Sequence, residues 1–195
     1  VSSRAYHHGD LPAALKSAVL ELVVEGGLPA VTMTAAARRA GVSPGAPYRH
    51  FAGLEDLLVA TAEDGYRRFR ARQLAVASRH DDPMDKLLAI IADYFGFARD
   101  EPSYFALMWG TGLTRHSRRL DEWALGDYAT VVGLLAEITG RSAADCHELA
   151  MNIASLVIGN ARIAIDRYSP VSTPEQAPGF ADRGVRQLIA GFRTQ

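Results

Sequence analysis

The sequence predicts an all-α chain of about nine helices, and three observations carry the prediction. Apolar residues recur at spacings of three and four along most of the 195 residues. No stretch alternates apolar and polar residues over the length of a strand. Helix-starting and helix-stopping residues stand where the periodic runs begin and end.

Each element carries its own signals. Leu11, Leu15, Val19, Leu22 and Val23 form one apolar stripe on a first helix, capped by Asp10 and ended by Gly26-Gly27. Pro12 lies in its first turn, where a missing N–H costs little. A short helix from about Met33 to Ala40 starts at Thr32 and stops at Gly41. Ser43-Pro44 then reads as the cap and first residue of another short helix. A longer helix runs from Leu54 to about Ser78, with Glu55 and Asp56 favouring its positive end. Asp82-Pro83 restarts the chain, and Leu87, Leu88, Ile91, Phe95 and Ala98 keep helical spacing. After a break at Asp100-Glu101-Pro102 come the aromatic segment Ser103–Gly110 and a helix over Leu120–Ile138 that Gly140 ends. Ser142 with Asp145 resembles a capping box for a long helix to about Tyr168. Ser169–Gly179 is a proline-rich loop, and Phe180–Phe192 a last amphipathic helix. The natural domain seam falls in the helix that starts at Leu54, dividing residues 1–53 from 54–195.

Composition bounds the function. Hydrophobic residues make up 48% and charged residues 22%, the balance of an ordinary globular protein. No apolar run reads as long enough to cross a bilayer, no basic-then-apolar leader stands at the N-terminus, and the single Cys146 permits no internal disulfide. The expectation is a cytoplasmic protein with no membrane partner. A net charge of −1 does not fit a chain that coats nucleic acid indiscriminately, but the charge is unevenly spread. Arg4, Lys16, Arg38, Arg39 and Arg49 face only Asp10, Glu21 and Glu25 within residues 1–53, a net +2 that leaves −3 for the rest. No Ser/His/Asp or Cys/His set, telling carboxylate pair, phosphate loop or metal spacing stands out, so no enzyme, cofactor or metal is expected. Tyr6-His7-His8 lacks the spacing of a metal site, and Arg67, Arg68, Arg70 and Arg72 read as a solvated face.

The informative stretch is Thr32–Phe51, TMTAAARRAGVSPGAPYRHF. Two short helices about a tight turn make a helix-turn-helix. Gly41 allows the left-handed conformation that ends the first helix, and Val42 can pin the turn against Ala36, Ala37 and Ala40. The start of the second helix offers free N–H groups and partial positive charge to a phosphate. Gly45 and Ala46 permit close approach to a duplex. Tyr48, Arg49 and His50 supply donors, and Phe51 turns back to the core.

The run Ala40–Phe51, preceded by Tyr6-His7-His8-Gly9-Asp10-Leu11, resembles the DNA-binding domain of the TetR family over residues 6–60. Length and helix order extend the likeness to the whole chain. The resemblance implies that Pro44–His50 is the recognition helix, entering the major groove of operator DNA. By position Gly45, Ala46 and Arg49 would face bases, Tyr48 and His50 phosphates, and Thr34 the backbone, with Arg4 in an arm that reaches the minor groove. Arg49 is the foremost specificity candidate, because its fork matches guanine O6 and N7. Two departures stand out. Leu54 occupies a position where a lysine is common, and Pro47 one where a larger aliphatic is usual. Pro47 predicts a local distortion rather than a broken helix.

Tyr94, Phe97, Phe105, Met108, Trp109, Trp123 and Tyr128, with Tyr104 nearby, are rich enough in rings to line a cavity, with Asn152 as a polar member. The same residues serve equally to pack a core. The resemblance implies a ligand cavity in this region and a homodimer built from the last two helices. It also implies an unidentified small molecule whose binding shifts the spread of the DNA heads, by induction or corepression. The segment Glu101–Gly110 is similar to one C-terminal subgroup of the family. That subgroup's later Trp-His-Gly signature is replaced here by Ala154–Gly159, so no ligand class carries over.

Overall fold

A computed structural model describes residues 10–110, 112–113, 117–165 and 173–194. Eight α-helices run through them: α1 Leu11–Gly26, α2 Met33–Arg39, α3 Leu54–Ala77, α4 Pro83–Asp100, α5 Pro102–Gly110, α6 Arg118–Thr139, α7 His147–Ile165 and α8 Ala177–Arg193. Short 3₁₀ turns at Leu28–Ala30 and Pro47–Arg49 interrupt them, and no strand forms among the described residues. The expected count of nine falls to eight because Pro44–His50 does not become an α-helix.

The caps explain the boundaries. Asp10 Oδ1 accepts the Ala13 N–H at 3.0 Å and Thr32 Oγ1 the Ala35 N–H at 3.0 Å, each filling a donor that the first turn leaves open. Asp82 Oδ1 takes the N–H groups of both Met84 and Asp85. Gly27 ends α1 at φ +69°. The Ser142–Asp145 contact forms as well, with Ser142 Oγ donating to Asp145 Oδ2 at 2.6 Å, yet α7 begins only at His147. Residues 142–146 close as turns instead, the Cys146 N–H pointing to Ser142 and Ala143 carbonyls.

Two compact units result. The first holds the chain up to Tyr66 together with Pro102–Leu120, and the second Arg67–Glu101 with Asp121 onward, so α3 contributes to both. In the first, α1 packs on α2, on α5 and on the Pro47–Arg49 turn. Its core is Leu15, Val19 and Leu22 of α1, Met33, Ala36 and Ala37 of α2, Leu57 and Tyr66 of α3, and Tyr104, Phe105 and Leu107 of α5. Each large apolar side chain buried there contributes about 1.5–3 kcal/mol. Short α5 is anchored closely: Ser103 Oγ donates to the Leu20 carbonyl at 3.0 Å, and a Cβ on Gly65 would stand 2.7 Å from the Tyr104 ring. Only glycine admits that approach.

In the second unit α7 packs along α8, and α4 rests on both. A Cβ on Gly184 would stand 2.9 Å from Leu156, which lets the two helices cross closely. Contrary to the expectation from the sequence, α7 is long and apolar enough by length and composition to cross a bilayer, with a mean hydropathy of 1.3 over an 18-residue window. Its polar members, Asn152, Ser155, Asn160 and Arg162, break the apolar run, but the aliphatic residues between them keep the average high. One stripe of α7 (Leu149, Ile153, Val157, Ala161, Ala164) is buried, and Met151, Ile158 and Ile165 are exposed.

Candidate nucleic-acid interface

The geometry of the site begins at the end of α2. Val42 N–H returns to the Ala37 carbonyl at 3.0 Å and Gly41 N–H to Arg38 at 3.2 Å, with Gly41 at φ +71°. This paired closure is the glycine stop expected from the sequence, and it seats half-buried Val42 over the end of α2.

Beyond Val42 the chain departs from the expected recognition helix. Ser43–Ala46 is a turn and only Pro47–Arg49 is helical, with 3₁₀ geometry. Pro47 has no N–H to give the Ser43 carbonyl, and its ring excludes that carbonyl from the α position. The Ser43 carbonyl takes the Ala46 N–H at 3.0 Å instead; Arg49 then bonds to Ala46 at 3.2 Å and His50 to Pro47 at 3.0 Å. The distortion therefore extends over the whole element. The residue ahead of the 3₁₀ turn is Ala46, which supplies no side-chain cap, and three residues of 3₁₀ helix carry little macrodipole, so the turn lacks the positive tip of an α-helix. What the turn offers to solvent is its side chains.

Those side chains are well presented. Pro47 is buried and Phe51, 7% exposed, closes the core behind it, while Tyr48 stands 58% exposed. Arg49, His50, Pro44, Gly45 and Thr34 are exposed, and Ala46 is half-buried. A Cβ on Gly45 would meet nothing within 4 Å, so the turn has an open approach. Arg49 has no carboxylate partner among the described residues. Arg4 and the Tyr6-His7-His8 arm lie outside the described residues.

The other cations of this region separate into two kinds. Lys16 pairs with Asp64 at 2.5 Å, bracing α1 to α3. Arg39 donates to Glu21 at 3.0 Å and to Glu25 at 2.8 Å, bracing α2 to α1. Those hydrogen bonds hold the Glu25 carboxyl below its ordinary value and raise the Arg39 guanidinium. Arg38, exposed one turn after Thr34 and unpaired among the described residues, is a further free cation that the sequence did not single out. Adjacent, identical residues in the sequence gave no signal of that division.

The proposed cavity residues fall in both units. Phe105 and Met108 are buried in the first, where half-buried Trp109 lies with its ring 4.6 Å from Phe105 and 5.9 Å from Tyr66. Tyr94 and Phe97 are buried in the second, each edge-on to Phe69. Half-buried Trp123 accepts a hydrogen bond from Arg70 through its carbonyl at 3.2 Å. Tyr128 stacks on His147, ring centroids 5.8 Å apart, and its hydroxyl donates to the His147 carbonyl at 3.0 Å. Asn152 is exposed, not interior, because it sits roughly a third of a turn away from the buried stripe of α7. With Glu148, Leu149, Gln187, Leu188, Gly191 and Phe192 it lines a groove of about 260 Å³ on the α7–α8 face.

The arginine run of α3 is less solvated than its sequence suggests. Arg72 binds Asp93 at 2.7 Å and Asp100 at 3.2 Å, and Arg70 binds Asp127 at 3.3 Å.

A chain whose described residues are helical, and whose N-terminal helix-turn-helix leaves Arg38 and Arg49 exposed, has the architecture of helix-turn-helix proteins. Comparison with known proteins narrows this. Residues 16–61 match the model of the bacterial regulatory proteins of the tetR family. The HTH-type transcriptional regulator BetI of Rhizobium meliloti (strain 1021) is 35% identical over 78 residues, which span 40% of this chain and 38% of that protein. A transcriptional regulator from Rhodococcus sp. Rha1 shares the fold with a TM-score of 0.72 at 24% identity, over 93% of this chain and 97% of that one. The transcriptional regulator FadR of Bacillus subtilis, solved in complex with stearoyl-CoA, does so with a TM-score of 0.71 at 16% identity, over 92% and 98%. The family match covers residues 16–61, and beyond them the chain is like known regulators in fold alone.

Proposed function

We propose that the chain is a dimeric repressor that binds a near-palindromic operator in the cytoplasm and leaves it when a small molecule binds. The observation that carries this reading is the exposed Tyr48-Arg49-His50 turn, backed by buried Pro47 and Phe51 on a tetR-type domain. Arg49, Gly45 and Ala46 read bases; Tyr48, His50, Thr34 and Pro44 hold backbone, and Arg4 reaches the minor groove. Residues 1–53 act as the DNA head and 54–195 as the effector and dimer portion, with no catalytic step assigned to either.

Dimerisation is supported by the outer face of α7. Met151, Ile158 and Ile165 are 54%, 39% and 38% exposed at spacings of seven, with Ser155 and Arg162 between them on the same face. An apolar stripe of this kind on a helix already packed along α8 fits a second copy forming a four-helix contact. Two heads then meet half-sites roughly 34–36 Å apart. The effector reading is supported by the stearoyl-CoA held in FadR, a protein of similar fold. An effector acts only by its differential affinity for the two head spacings.

Selection of duplexes from a random pool, followed by sedimentation of the complex, tests the proposal. A two-fold-symmetric consensus bound by two chains supports it; the absence of any enriched sequence contradicts it. Release or strengthening of that complex by ligands from a panel, starting with fatty acyl-CoA, separates induction from corepression.

A further inference from the structure

We propose that Pro47 sets the base preference of this chain through backbone geometry, as a positioning residue that itself touches no DNA. The inference rests on the DNA-reading role given to the Tyr48-Arg49-His50 turn above.

Three observations carry it. Among Ser43–His50, Pro47 is the one buried residue, so its ring anchors the turn into the core while Tyr48, Arg49 and His50 remain outside. The backbone bonds up to His50 span three residues, not four: Ala46 to Ser43, Arg49 to Ala46 and His50 to Pro47. The Ser43 carbonyl, which an α-helix would pair with residue 47, is diverted because a proline has no N–H to offer. Pro47 thus holds the element in its 3₁₀ form.

The form matters for what Arg49 reaches. A 3₁₀ helix has about 3.0 residues per turn and rises about 2.0 Å per residue, against about 3.6 and 1.5 Å in an α-helix. From Ala46 to Arg49 it completes a turn, stacking Arg49 over Ala46, and climbs about 6 Å rather than about 4.5 Å. An α-helix would leave Arg49 about 60° short of that line. Productive side-chain geometry tolerates about 0.5 Å and 10–20°, so the two forms bring the guanidinium to different base edges. A residue at 47 that can donate to Ser43 relaxes the element toward the α form and changes the sequence it prefers.

The test compares the full chain with P47A and P47L, each put through selection from a random duplex pool and then titrated by fluorescence anisotropy. The expected result is retained duplex binding with the wild-type salt dependence and about a tenfold loss on the wild-type consensus, the size of one mismatched base pair. A different consensus should be enriched for the variants. An unchanged consensus, or an equal loss on every duplex by a variant that melts cooperatively, overturns the proposal. Should P47A fail to fold, P47L refills the buried volume and carries the same comparison. If the wild-type chain enriches no sequence at all, the DNA-reading role falls, and this inference with it.

Discussion

Arginine appears in two settings in this molecule, paired within the fold or exposed without a carboxylate, and the contrast supports the place proposed for the DNA contact. Along the later part of α3 the arginines are occupied. Arg72 is shared between Asp93, only 11% exposed, and Asp100; Arg70 is held by Asp127 and the Trp123 carbonyl; Arg68 faces Glu101. Around the helix-turn-helix, Arg39 is likewise consumed by Glu21 and Glu25, but Arg38 and Arg49 stand exposed without a carboxylate among the described residues. An arginine that already has its anion holds the fold together. One that lacks it is available for a phosphate or a guanine. Counting arginines along the sequence points to α3, whereas their partners point to the turn after Gly41.

The largest expected effect removes this contrast at Arg49. R49A should lose about 1–3 kcal/mol of discrimination at the base it reads, roughly ten- to a hundredfold by anisotropy, with an unchanged melting temperature because the side chain supports nothing in the fold. The reverse is expected of R72A. Removing it leaves a nearly buried Asp93 carboxylate without its main partner, lowering stability by about 1–2 kcal/mol, or several degrees in a thermal melt. A change in base preference without loss of stability would place Arg72 at the DNA and dissolve the distinction.

Acid divides the carboxylates that hold these arginines. The Glu25 carboxyl, held down by Arg39, and that of Asp100, held down by Arg99 and Arg72, have folded values below their ordinary 4.5 and 3.8. Each contributes stability that is present above the ordinary value and is lost as pH falls through the folded one. The melting difference between wild type and E25Q should therefore shrink on acidification below about pH 4.5. Asp127 runs the other way, since burial raises its carboxyl against the opposing pull of Arg70. Its favourable contribution belongs below 3.8 and fades as pH rises through the folded value. D127N should be neutral to slightly stabilising at pH 7, within about 0.5 kcal/mol, with that gain vanishing near pH 3.5. A clear loss at pH 7 would mean the pairing with Arg70 outweighs burial.

Much of the fold is legible in the residues alone. Asp10, Thr32, Gly41 and Asp82 mark helix ends through local hydrogen bonding, and local chemistry can be read without knowing the fold. The exposed turn is legible too, as far as the identities of Tyr48, Arg49 and His50. Its conformation is not, because Pro47 near the start of a short helix is tolerated or disruptive according to what surrounds Ser43, and Pro44 and Gly45 further weaken the α form. The Ser142–Asp145 box shows the same limit: its hydrogen bonds form, but the helix starts only at His147. Nor can spacing show that α5 is seated against α1 and α3 by Ser103 and Gly65, since both contacts join residues far apart in sequence. Asn152 reads as interior by type and is exposed by phase on α7.

Methylation interference at guanine N7 on the selected operator, with wild type and R49A side by side, asks outright whether the free arginine of the turn reads a base. Wild-type binding should be blocked by methylation at one guanine in each half-site, and R49A should become indifferent to that same methyl group while keeping its phosphate contacts. Interference patterns identical for the two proteins, or none in the grooves facing the turn, would contradict it.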